Sequence, residues 1–280
     1  MNPPITAWQV GAATVRIFNL GTLQVDLSAW FTIPQEQLPA AYAAAMAAPI
    51  LIPAQCLHVA LPGMSLLVDA CDAAGIAHSS FAPPNYQPPP DLLTQMQSAG
   101  IAPESVTHVV ITHPHFDHIS GLTREHDGQM APCFPNARHY LGRADDAQIH
   151  KLMHDPRSLE SRTLGVVQQH GLLELADAQH DINSSVAIIA TPGETPGHQI
   201  VRVRSEGQTL YYLGDLYHHQ IEFAYPDVMV PWADVAATEQ SRAMLAAAAL
   251  AEDARLIATH IAGVGRLRQT HKGVMWQSAE

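Results

Sequence analysis

Short apolar runs with strand-like spacing recur along the chain and are punctuated by Gly, Pro and Asp, a texture that predicts many strands with helices between them. Thr14–Leu20 and Leu23–Leu27 read as a hairpin turning at Gly21, and the Ala-rich stretch Glu36 to Ala48 has helix-forming composition ending before Pro49. Gln55–Leu61 and Ser65–Val68 flank Pro62-Gly63, a strong turn signal between two apolar runs. The segment Phe81–Pro90 (FAPPNYQPPP) is too rich in proline for a regular element and reads as an extended surface loop. Beyond it helix and strand alternate. Asp91–Ala99 is a helix with Asp91 as N-cap and Gly100 as stop, and Val106–Thr112 is a β-branched strand buried on both faces. Further strands are predicted at Ala137–Leu141, Ser185–Ala190, Ile200–Arg204, Thr209–Leu213 and Arg255–Thr259, and helices at Arg143–Met153, Leu159–His170 and Val235–Glu252. No linker and no internal repeat divides the chain, so residues 1–280 read as one domain, with 1–54 an N-terminal extension before a motif-bearing core, 55–265.

Composition narrows the classes of partner. Hydrophobic residues are 47% and charged residues 14%, enough apolar material for a large core. With 14 Lys+Arg against 26 Asp+Glu the net charge is −12, which disfavours a nucleic-acid partner. No apolar run reaches membrane-spanning length and no leader is evident, so a cytoplasmic protein with no membrane association is expected. Cys56, Cys71 and Cys133 lack metal-ligand spacing and read as apolar filler. Histidine stands out at 17 residues, and the question is whether the histidines are organised.

Several are. His113-Pro-His115-Phe-Asp117-His118 follows the strand Val106–Thr112, placing four potential ligands in six residues that can converge only on a loop leaving a strand end. The histidines two apart can meet one metal while the Asp–His pair reaches a neighbouring one, with Gly121 freeing the chain to turn away. Asp69 follows Leu66–Val68, His198 closes the Pro/Gly turn Thr191–His198, Asp215 follows Leu210–Leu213 through Gly214, and His260 follows Leu256–Thr259. Each sits where a predicted strand gives out. The remaining histidines (His58, His78, His108, His126, His139, His150, His154, His170, His180, His271) are scattered and expected at the surface.

Asp69, the His113–His118 cluster, His198, Asp215 and His260, in this order, resemble the five motifs of the metallo-β-lactamase superfamily. That resemblance implies an α/β (α+β) four-layer αβ/βα sandwich, two mixed sheets face to face with helices outside. It implies that His113, His115 and His198 hold one metal, that Asp117, His118 and His260 hold a second, that Asp215 bridges them, and that Asp69 orients ligands by hydrogen bonds. Zinc is the default pair of divalent ions, with Fe, Mn or Co fitting similar ligands. Such a pair generates a shared hydroxide at neutral pH, and Asp117 is a candidate proton relay to the leaving group.

True β-lactamases of the fold lack the bridging aspartate, and glyoxalase II enzymes carry a further helical domain where only twenty residues follow His260 here. The segments Gly214–Gln220 and Thr259–Arg266 resemble the lactonase and methyl parathion hydrolase branch. Lactonases carry a tyrosine three residues after the bridging aspartate; here that offset is His218 with Tyr217 beside it, as in the methyl parathion hydrolase group. The resemblance therefore implies hydrolysis of a lactone or carboxylic ester, the alternatives being a phosphotriester or a non-catalytic, ligand-binding member of the fold. A neutral, fairly apolar substrate suits the acidic ligand pool, with Trp30 and Phe31 as an apolar wall. Relatives of this branch are often dimers, so a homodimer is the assembly the resemblance implies.

Overall fold

The computed structural model describes residues 5–31, 40–271 and 273–279. The first sheet is built from β1 (Ile5–Val10), β2 (Ala13–Val25), β3 (Ile50–Leu61), β4 (Met64–Val68) and β5 (His108–Val110); a ribbon of β6 (Thr123–His126) and β7 (Gln129–Pro132) intervenes before β8 (Arg138–Gly142) and β9 (Leu173–Ala176). The second sheet contains β10 (Gln179–Asp181), β11 (Val186–Ala190), β12 (Gln199–Ser205), β13 (Gln208–Tyr212), β14 (Arg255–Ile257), β15 (Val264–Thr270) and β16 (Gly273–Ala279). Helices are α1 (Leu27–Trp30), α2 (Ala40–Ala47), α3 (Ala73–His78), α4 (Leu92–Ser98), α5 (Phe116–Ile119), α6 (Arg143–Ile149), α7 (Val166–Gln169), α8 (Ile221–Ala224) and α9 (Val235–Ala251).

Both sheets have seven strands, ordered β1-β2-β3-β4-β5-β8-β9 and β10-β11-β12-β13-β14-β15-β16. The first is antiparallel up to β4 and parallel from β4 to β9; in the second only β13 and β14 run parallel. Alternation of side chains along each strand sets the layers. Leu57, Val59, Leu66, Val68 and Val110 meet Val201, Val203, Leu210, Tyr212 and Ile257 between the sheets. The intervening residues of the first sheet (Cys56, Leu67, Val109, Ile111) face outward under Ile76, Met96 and Leu164. Ile200, Tyr211, Leu213 and Leu256 likewise pack under Leu245 and Ala249 of α9. Each such buried Leu, Ile or Val contributes roughly 1.5–3 kcal/mol relative to exposure, which is what holds the four layers together.

Local signals explain most boundaries. Asp91 caps α4 by accepting the Thr94 N–H at 2.8 Å, and Asp234 caps α9 through Ala237 N–H at 2.9 Å. Four expectations are corrected. Gly21 is not a turn: β2 runs through it with a bulge between Asn19 and Gly21, where a Cβ would meet Ile76 Cδ1 at 2.4 Å. The first turn lies instead at Gly11, whose φ is +56. Gly121 has an ordinary φ and is required because a Cβ there would lie 2.8 Å from Cys71 O. His58 and His139 are buried on the helix-facing side of the first sheet, at 2% and 0% exposure, rather than at the surface. The Ala-rich helix is described from Ala40; residues 36–39 lie outside the described residues, as does Lys272. No helix among the described residues is long and apolar enough to cross a membrane.

Candidate metal centre

The ends of the parallel pairs β4–β5 and β13–β14 meet at one edge of the sandwich. β4 delivers Asp69, β5 delivers Thr112 and His113, β13 delivers Asp215, and β14 delivers His260; His198 immediately precedes β12, whose start lies beside the end of β13. The six-residue cluster is not all loop: His113 and His115 leave β5 in irregular backbone, whereas Asp117 and His118 ride on α5.

Two glutamines lace the sheets at this edge. Gln55 Nε2 donates to Ala258 O at 3.0 Å and Ile261 O at 2.9 Å, fixing the loop that carries His260. Gln199 Nε2 donates to Ile111 O at 2.8 Å, and its backbone N–H donates to Thr112 O at 2.9 Å. Asp145 holds the turn before His198, accepting from Thr195 Oγ1 at 2.8 Å and Gly197 N–H at 2.7 Å, with its carboxyl pushed up to about 6 by burial despite these bonds.

Hydrogen bonds at Nδ1 choose the face each imidazole presents. His118 Nδ1–H donates to Asp69 Oδ2 at 2.9 Å, His260 Nδ1–H to Pro53 O at 2.8 Å, and His198 Nδ1–H to Thr191 O at 3.1 Å. Thr112 Oγ1 donates to Asp69 Oδ2 at 3.0 Å, leaving it to accept from His113 Nδ1–H at 3.2 Å. All four rings therefore turn Nε2 inward. Asp69, fully buried with a φ of +62, organises this array and also accepts the Thr112 N–H at 2.8 Å. A non-glycine residue in that left-handed region marks strain tolerated at a site.

Asp215 Oδ2 occupies the centre. It lies 3.2 Å from His260 Nε2, 3.3 Å from His118 Nε2 and 3.7 Å from His113 Nε2. The ligand atoms fall into two groups around it: His113, His115, Glu194 and Asp215 in one, Asp117, His118 and His260 in the other, each with ligand atoms within 4.8 Å of one another. Burial would raise the Asp215 carboxyl, but the facing His260 and His118 rings hold it well below the usual carboxylate range. Burial keeps His113 well below the usual imidazole range and His198 down at about 4, so both are neutral donors near pH 7. His118 Nε2 and Asp215 Oδ1 are buried with no hydrogen-bond partner among the described residues. The neutral imidazoles of His113 and His198, the carboxylates that draw His118 and His260 upward, and two orphaned inward atoms fit a pair of divalent cations.

The structure places the other predicted residues as follows. His198 stands beside the first group, its ring centroid 5.3 Å from His113 and its Nε2 accepting the Asp215 N–H at 3.1 Å. His218 reaches the site, with Nε2 3.6 Å from Asp215 Oδ2 and its ring stacked 5.8 Å from His260. Tyr217 does not: its ring stacks on Phe223 at 3.8 Å, under Arg242 and inside the α9 core. Trp30 lies 5.7 Å from His218 and 5.7 Å from Trp232, whereas Phe31 is buried in the core below the first sheet. Sequence reasoning missed Glu194 and Trp232. Glu194 Oε1 lies 3.4 Å from His115 Nδ1 and accepts Trp232 Nε1–H at 2.6 Å, and its Oε2 is 3.7 Å from His218 Nε2. The available signal for Glu194 was its place inside the Pro/Gly turn Thr191–His198.

The family model of the metallo-beta-lactamase superfamily matches residues 82–260, a span that includes every candidate ligand from His113 to His260 and leaves out Asp69, the orienting carboxylate at the end of β4. The chain belongs to the metallo-β-lactamase superfamily. Its fold is that of several solved members. Hydrolase AbOPH of the beta-lactamase superfamily superposes with a TM-score of 0.81 at 19% identity, covering 100% of this chain and 99% of its own. AidC, a dizinc quorum-quenching lactonase in complex with a product, gives 0.78 at 20% identity, covering 99% and 97%. A probable metal-dependent hydrolase from Staphylococcus aureus gives 0.78 at 17%, covering 98% and 99%. No curated protein sequence matches the chain.

Proposed function

We propose that this metallo-β-lactamase-superfamily protein hydrolyses a lactone or carboxylic ester at a dinuclear zinc centre. One observation carries the reading: Asp215 Oδ2 lies between the two ligand groups while His218 Nε2 faces it at 3.6 Å. His113, His115, His198 and Asp215 would hold one ion, and Asp117, His118, His260 and Asp215 the other. When bound, such a pair lowers the pKa of water to near 7 and polarises a carbonyl oxygen.

The chain's own residues account for the rest. His218 donates from Nε2 to the substrate carbonyl oxygen, its ring held between Trp30, Trp232 and His260. Asp117 takes the proton lost by the attacking water as its oxygen bonds to the carbonyl carbon and passes it to the departing alkoxide; its carboxylate lies 3.4 Å from His260 Nε2. Trp30 and Trp232 form the apolar wall against which an acyl or aryl group packs. Asp117, Glu194 and Asp215 would offset most of the charge of two divalent ions, which favours a neutral substrate. The lactonase name of AidC supports the lactone reading, and histidine rather than tyrosine at residue 218 supports a phosphotriester as the second one.

The test is metal content with turnover of an aryl ester, a γ-lactone and a phosphotriester, before and after chelation. About two metals per chain, with activity lost on chelation and restored by zinc, supports the proposal, and the preferred substrate chooses between the two readings. One metal or none, with no turnover after zinc or manganese is added, replaces it with a ligand-binding role.

A further inference from the structure

Asp215 and His218 lie on a segment without regular structure between β13 and α8, yet both must be held to within a fraction of an ångström to act together. What holds them is buried behind them. Glu222, in the first turn of α8 and fully buried, folds its carboxylate back onto the loop: Oε2 accepts the N–H of His218 at 2.5 Å and of His219 at 2.8 Å. Oε1 accepts from Arg242 Nη2 at 2.5 Å and lies 3.9 Å from His218 Nδ1. Arg242 reaches in from α9, 3% exposed, and spans the loop: Nε donates to Leu216 O at 3.0 Å, and Nη1 to Val228 O at 2.6 Å and Pro226 O at 3.2 Å. The Tyr217 ring packs beneath its guanidinium at 4.7 Å.

Buried ion pairs are costly to desolvate, and apolar residues of similar volume often stabilise a fold as well. A pair with every contact directed at residues 216–228 is therefore best explained by what it positions. We propose that Glu222 and Arg242 are positioning residues for hydrolysis, fixing the His218 ring over Asp215. Glu222 clamps the backbone at residues 218 and 219, and Arg242 locks that carboxylate to α9. The inference rests on His218 acting as the carbonyl donor.

The test is a double-mutant cycle between Glu222→Gln and His218→Ala on the zinc-loaded protein, using the best substrate of the wild type. Misplacing a catalytic group by about 1 Å costs on the order of 100-fold. E222Q is expected to lower kcat by about 30-fold or more with KM within about threefold and two metals per chain retained, and to have less than about threefold effect in the H218A background. An equal loss in both backgrounds, or loss of metal in E222Q, overturns the proposal. Should E222Q alone not accumulate as folded protein, E222Q/R242Q, which leaves no unpaired buried charge, takes its place in the cycle. Amide hydrogen exchange separates failure of this inference from failure of the hydrolase reading. Even without turnover by the wild type, E222Q should increase exchange in the peptide covering 214–223 but not in β5 or β12. Unchanged exchange there overturns the clamp itself.

Discussion

Acid should loosen this fold through two histidines remote from the metal centre. His58 and His139 are both held down to about 4, chiefly by burial, with Arg16 adding to the effect at His58 and the Ala137 carbonyl partly opposing it at His139. Among the described residues His58 retains only Ser65 Oγ as a partner at 2.9 Å, and His139 only Ala137 O at 3.1 Å, so neither has a carboxylate there to welcome a proton. In the unfolded chain each titrates near 6.5. Between these values the unfolded state binds more protons than the folded state, so stability is intact above about pH 6.5 and is lost as pH falls toward 4. The full difference is roughly 3 kcal/mol per residue, and at pH 5 about 2 kcal/mol has been lost. The two residues sit on β3 and β8, three strand spacings or about 14 Å apart, so their contributions should add to about 4 kcal/mol at pH 5. Domains of ordinary stability have only about 5–15 kcal/mol in total. The perturbation is His139→Leu, alone and with His58→Leu, and the assay is urea unfolding of chelated protein from pH 7.5 to 5.0. Lost hydrogen bonds lower stability by about 1 kcal/mol each at every pH, but the loss between pH 7.5 and 5.0 should shrink by about 2 kcal/mol per replacement. Parallel stability–pH curves for wild type and variants would refute the reasoning.

Asp69→Ala removes the acceptor that sets His118 and Thr112, and should weaken metal binding or activity by about 10–100-fold in chelator competition and initial rates. Asp215→Asn should reduce the metals held per chain, read by elemental analysis, with turnover falling at least about 100-fold. Trp30→Ala, opening the wall beside His218, should raise KM about tenfold while kcat changes less than about threefold. Gly142→Ala would push a Cβ to 2.0 Å from Gly197 O in the turn before His198, lowering stability by about 2 kcal/mol or more in thermal unfolding.

The layers and most of the ligand array were legible because the strands that end at ligands are apolar on both faces, and such runs stand out against Gly, Pro and charged neighbours. Asp69, His113 and Asp215 each follow such a run, so their convergence was readable before the sheets were known. Gly21 misled because a glycine that avoids a collision looks, in sequence, like one that turns the chain. The β6–β7 ribbon carried its own signal, Asp127-Gly128, with φ values of +51 and +76, but the half-exposed flanking strands lack an apolar rhythm. Gln55, Glu222 and Arg242 stayed hidden for a different reason. Gln55 meets Ile261, 206 residues away, and Glu222 meets Arg242 across 20 residues that fold into two separate helices, so the pairing depends on how those elements pack.

Because the array is sewn from both sheets, with Gln55 and Gln199 as stitches, it works as a clasp across a seam. A clasp registers small slippage that the cloth itself survives. Substitutions deep in the inter-sheet core, far from any histidine, should therefore show first as weakened ion retention and only later as unfolding. Conversely, loading the ions should tighten packing between layers that share no covalent tie beyond the chain itself.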